Sequence, residues 1–126
     1  MRTKYGNRKV SVDGRVFDSR REARYYLFLK DAERKGEISD LRMQVPYEIV
    51  PAIYEDEVVH LKTKDKIVKR CVQKAVHYVA DFVYHDNATG REEVVDVKGG
   101  QATKTDVYKL KKKMMLAFNG IAITEV

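Results

Sequence analysis

At 126 residues the chain has the length of one domain with a single modest core. Its hydrophobic content of 44% is ordinary for a globular protein, while its charged content of 35% and net charge of +6 are high. The one cysteine, Cys71, excludes an internal disulfide and any multi-cysteine zinc site, and it suits a reducing, cytoplasmic setting. No apolar run has the length of a membrane span or a signal peptide, so no membrane partner is expected.

In chain order, residues 1–9 form a basic arm that includes Lys4 and Arg8. Val10 to Phe17 alternates around Asp13-Gly14, which predicts a small two-stranded ribbon. Ser19-Arg20-Arg21-Glu22 has the capping-box pattern and opens a helix that runs to about Lys35 and stops at Gly36. At about 100° per residue, Tyr25, Phe28, Leu29 and Ala32 form its apolar stripe, with Glu22 at the buried edge. Glu22 is thus either a cap residue or a carboxylate aimed at the sheet, and a first-turn position allows both. Ile38 to Leu41 leads into a strand over Gln44–Val50, with Pro46 near its start or on a sheet edge.

Residues 51–65 show no period and read as an exposed loop. Ile67 to Val76 reads as a strand that either continues through His77, taken as structural, or pairs with the next strand. Thr103 and Thr105 both offer N-caps for a second helix ending at Asn119-Gly120. Its expected buried stripe is Val107, Leu110, Met114, Ala117 and Phe118. Lys111 falls inside that stripe, where it either snorkels or meets a buried acid or anion. Ile121 to Val126 closes the chain as a strand. The order of elements predicts an α/β fold, a central mixed β-sheet flanked by helices.

The stretch Val94-Val95-Asp96-Val97-Lys98-Gly99-Gly100 stands out. Alternation along a strand puts Asp96 and Lys98 on one face and Val95 and Val97 on the other. A second acid, Asp81, lies in the apolar run Tyr78 to Tyr84. If Asn87 to Gly90 form the loop between these runs and Asp86 faces Arg91, the same register puts Asp81 opposite Asp96, with Cβ atoms roughly 5 Å apart. Two such carboxylates repel unless one is protonated or a divalent cation sits between them. A slip of one residue would separate them to opposite faces.

Asp81, Asp96 and the Val97 carbonyl form an oxygen set suited to a hard cation such as Mg²⁺, with Glu22 as a further ligand. Lys98 beside them can orient a water or stabilise a developing anion. Positive charge is clustered as well. Residues 1–35 carry eleven Lys or Arg against five Asp or Glu, and Lys104 to Lys113 holds five Lys against Asp106 alone. Lys4, Arg8, Arg20, Arg21, Lys104 and Lys109 in these clusters suit the phosphates of a nucleic acid, or an anionic surface; the plainer alternative is a solvated face.

Asp81, then Asp96-Val97-Lys98 fifteen residues later, after a helix bearing Glu22, resembles the PD-(D/E)XK nuclease superfamily. The blocks Val16 to Ala23, Tyr78 to Phe82 and Val94 to Gly99 are similar to small phage-encoded Holliday-junction-resolvase-like endonucleases. The resemblance implies a restriction-endonuclease-like core and Mg²⁺- or Mn²⁺-dependent phosphodiester hydrolysis in branched or structured DNA, by a homodimer. It makes Asp81 and Asp96 metal ligands, Lys98 the catalytic lysine, Glu22 the helix carboxylate and Lys111 a phosphate contact. Ala80 stands where the superfamily's name has proline. Two other readings compete: a non-catalytic basic DNA-binding module, and a nuclease of the same fold acting on single strands or duplex ends.

Overall fold

The computed structural model describes residues 9–100 and 103–126. The expected ribbon is present as β1 (Val10–Val12) and β2 (Arg15–Phe17), turning through Asp13 and Gly14 at φ 52° and 75°. Helix α1 (Arg20–Arg34) follows, then β3 (Ile38–Val50), β4 (Ile53–His60), β5 (Asp65–Gln73), β6 (Val76–Asp86) and β7 (Arg91–Asp96). Helix α2 (Asp106–Asn119) and β8 (Ile123–Glu125) complete the chain. The central sheet has the order β3-β6-β7-β8, antiparallel except for the parallel pair β7 and β8. A parallel pair needs a crossover, and α2 supplies it. The protein is therefore mixed α/β with a mixed central sheet and two helices, as the order of elements predicts.

Each helix covers one face of the sheet. Alternation along β7 sends Val95 into a cluster with Leu29, Tyr26 and Phe82 under α1, and Val94 into a cluster with Met115, Tyr108 and Ile123 under α2. Both helices begin on hydroxyl caps. Ser19 Oγ accepts the Glu22 N–H at 3.1 Å, and Thr105 Oγ1 accepts the Tyr108 N–H at 3.1 Å. Gly120, at φ 67°, takes the left-handed position that ends α2.

The faces these helices bury differ from those their periodicity predicts. In α1, Tyr26 is buried and Phe28 is 64% exposed. The Tyr26 ring packs 4.9 Å from Phe17 and its hydroxyl donates to Asp13, so the N-terminal ribbon selects which aromatic goes inward. Glu22 consequently lies well inside the buried face rather than at its edge. In α2, Tyr108 and Met115 are buried while Val107, Leu110 and Phe118 are exposed. The helix turns Tyr108 inward because that hydroxyl has a partner, Glu125 of β8, at 2.7 Å.

Residues 51–65 do not form a loop. They contain β4 and the turn into β5, and the two strands make a separate ribbon rather than adding β5 to β6. Pro46 lies within β3, which is an edge strand, the setting where a missing N–H is tolerated. Among the described residues no helix is long and apolar enough to cross a membrane.

Candidate active site where two strands separate

The expected register holds. Asp86 pairs with Arg91, and the ladder continues to Phe82 opposite Val95. There the pairing ends. Asp81 Oδ2 accepts the Val97 N–H at 2.9 Å, so a carboxylate takes the place of the next ladder bond. On the other side Asp81 meets Gln44, which sits at φ 53° in β3 and donates 3.3 Å bonds to both Asp81 Oδ1 and Glu22 Oε1. Gln44 thereby links helix and sheet carboxylates through one amide.

Asp96 is 4% exposed, and both of its oxygens are engaged. The Tyr78 hydroxyl donates to Oδ2 at 2.5 Å, and the Lys98 ammonium lies 3.2 Å from Oδ1. Lys98 also stands 4.0 Å above the Tyr108 ring, a cation–π contact that fixes its head group. Val126 brackets the intervening residue: its N–H donates to the Asp96 carbonyl and its carbonyl accepts the Lys98 N–H. The lysine is thus held by an acid, an aromatic face and a backbone clamp.

The acids are crowded. Burial, with help from Asp81, Asp18 and Asp96 and against Lys98, pushes Glu22 up to about 7. Asp81 is pushed up to about 6, first by burial, against the Val97 N–H that favours its charge, and further by the nearby Asp96 carboxylate. Burial and the Asp96 carboxylate also raise the Tyr78 hydroxyl, which stays a neutral donor. Next to the cleft, Glu125 is pulled down to about 2 by the Tyr108 hydroxyl and by Lys104 and Lys112.

Glu22, Asp81, Asp96, Val97, Lys98 and Lys111 all line one cleft of about 500 Å³ between α1 and α2. Arg21 stands on its wall, whereas Arg20 and Lys109 face solvent. Lys104 is not free for phosphate: it forms a 3.1 Å pair with Glu125. Lys4 and Arg8 lie outside the described residues. His77, expected to be structural, is exposed on the cleft wall. Tyr78, Tyr108, Gln44 and Glu125 are site residues that the sequence does not single out. A tyrosine buried in a strand or helix requires a hydroxyl partner, which is the available signal for the first two.

Among the described residues no three acids, histidines or cysteines converge tightly enough to cage a metal alone. The donor set nonetheless suits a hard divalent cation of the Mg²⁺ kind, which keeps several waters and takes one or two carboxylates. Asp81 and Asp96 would supply these, with Glu22 behind Gln44. Burial first, and the neighbouring carboxylates after it, raise the Glu22 and Asp81 pKa values, and a bound cation would offset both effects.

The fold and cleft define an α/β protein whose central strands part around an acid pair and a clamped lysine. The chain belongs to the family described as Protein of unknown function (DUF1064), whose model matches residues 2–124. No curated protein and no solved structure matches it.

Proposed function

We propose that this chain is a divalent-metal-dependent endonuclease acting on branched or structured DNA, four-way junctions among them, built on a restriction-endonuclease-like core. The observation that carries the reading is that Asp81, Asp96 and Lys98 line one cleft where β6 and β7 separate, with Lys98 at 3.2 Å from Asp96. Bound Mg²⁺ or Mn²⁺ would supply Lewis-acid stabilisation of the charge that develops on a phosphate. The chain's own residues do the rest. Tyr78 holds the Asp96 carboxylate in one orientation, and Tyr108 holds Lys98 beside the scissile phosphate, where its ammonium offsets the added charge. Glu22 takes up or returns a proton close to neutral pH. Lys111 and Arg21 on the cleft wall contact flanking phosphates.

The test is a cleavage panel with Mg²⁺ or Mn²⁺ across four-way junction, flap, duplex and single-stranded DNA. Nicking of the junction is expected, lost by at least about a hundredfold in Asp96→Ala and in Lys98→Ala, with unchanged circular dichroism. Cleavage that survives Asp96→Ala sinks the mechanism. Tight, salt-sensitive binding without cleavage, and without a thermal shift on adding metal, identifies a DNA-binding module in which Asp96 and Lys98 are an ion pair only.

A further inference from the structure

The β4–β5 ribbon has no role in the cleft and no place in either core cluster. Every residue of β4 is exposed, as is every residue of β5 except the half-buried Val68. A two-stranded ribbon alone in water is marginally stable, so one that joins neither core cluster among the described residues is shaped for something outside the chain. We propose that it is an arm that grips duplex DNA by entering the major groove, with Lys62, Lys64 and Lys66 at its tip on the phosphates. This rests on reading the chain as a protein that acts on DNA and names a surface by which it holds that partner.

Charge selects the occupant. The ribbon and its flanks, residues 53–74, hold four acids, and each is already engaged: Glu55 and Glu57 by Arg70, Asp56 by Lys69, Asp65 by His60. Lys62, Lys64 and Lys66 have no carboxylate within 4.0 Å among the described residues, so the tip presents three unpaired ammonium groups against the one charge of Asp65, which His60 holds by a hydrogen bond. That favours a polyanion over a second copy of a chain whose own net charge is +6. Dimensions agree. Two strands about 4.8 Å apart make a body that the roughly 12 Å major groove admits. Eight residues of strand reach about 26 Å, most of one turn of duplex.

Placement agrees too. The ribbon leaves the sheet after Val50 and rejoins it at Val76, and the next residues of β6, His77 to Val79, line the cleft ahead of Asp81. Its root is tied by the Gln73 side chain donating to the Pro51 carbonyl at 3.1 Å. The root of the arm therefore adjoins the cleft wall.

The experiment measures affinity of the full chain for a fluorescent 30-base-pair duplex, in EDTA, over a range of salt. The triple variant Lys62→Glu, Lys64→Glu, Lys66→Glu should bind at least about tenfold more weakly at low salt. Its slope of log K against log salt should be shallower by about 2.7, at ~0.9 for each phosphate that is no longer neutralised. The triple alanine variant should shift both quantities in the same direction, which guards against misfolding of the charge-reversed protein. Unchanged affinity and slope in both variants overturn the proposal, as does sedimentation showing that they alter self-association and leave DNA binding untouched. Cleavage is scored separately: lysine-dependent binding without metal-dependent cleavage keeps the arm and discards the nuclease. Cleavage with binding indifferent to the lysines does the reverse.

Discussion

Asp81 stands where three demands conflict. It is partly buried, it caps the Val97 N–H, and another carboxylate, Asp96, lies near enough to disfavour its charge. Burial and a neighbouring carboxylate disfavour its charge, while the N–H favours it. An asparagine keeps the acceptor for Val97 and removes the disfavoured charge, at the cost of the acceptor for Gln44. In metal-free buffer at pH 7, Asp81→Asn should therefore raise stability by about 1 kcal/mol, or Tm by roughly 3–5 °C, as differential scanning fluorimetry would read. A lower Tm would mean that Asp81 is a structural acid and not one held in reserve for a cation. The same substitution should abolish the thermal shift produced by Mg²⁺ or Mn²⁺.

At the scale of elements, the β4–β5 ribbon and the sandwich are separable. No residue of 53–73 belongs to either core cluster. Replacing that segment by a short Gly-containing turn should shift Tm by only a few degrees and leave the far-ultraviolet spectrum helical. A fall of more than about 10 °C, several kcal/mol for a domain this size, would show that the ribbon supports the sheet. The same separability explains what is legible in the sequence. Turns and caps are local chemistry, so Asp13-Gly14, Ser19, Thr105 and the register from Asp86 opposite Arg91 can be read directly. The ribbon cannot, because a strand exposed on both faces has no burial to impose a period on its residues. Nor can the rotation of either helix. Each carries apolar residues around most of its circumference, and the choice of Tyr26 over Phe28, or Tyr108 over Val107, depends on hydroxyl partners distant in sequence. For the candidate site, the spacing brings Asp81, Asp96, Lys98 and Glu22 to one cleft, while the residues that hold them come from strands and helices that no spacing rule connects.

For the whole molecule, the buried acids tie stability to pH. Glu22 titrates near 4.5 when unfolded and at about 7 when folded. Below pH 4.5 both states hold the proton and nothing changes. Between those values the unfolded chain releases it while the folded chain retains it, so this group's contribution is lost as pH rises, no faster than about 1.4 kcal/mol per unit. Asp81 acts in the same direction between 3.8 and about 6. Glu22→Gln should thus match the metal-free wild type in Tm near pH 4 and exceed it increasingly up to pH 7. An offset that does not vary with pH would dissociate Glu22 from the crowded cleft. Divalent metal should recover the loss above pH 7 and have little effect near pH 5, where protons compete for the same oxygens.

The margins of the central sheet carry a consequence of their own. One border is β3, bent by Asp40 and Gln44 at positive φ and lacking a donor at Pro46; the other is β8, three residues long. Neither offers the long, flat run of free amides and carbonyls that recruits a foreign strand. The sheet is therefore poorly suited to growing by lateral addition or to seeding fibrils. Association of copies through the borders of this sheet is therefore disfavoured, and apolar surface stands uncovered elsewhere: on the helices at Phe28, Leu110 and Phe118 and on the ribbon at Val58, Val59 and Ile67.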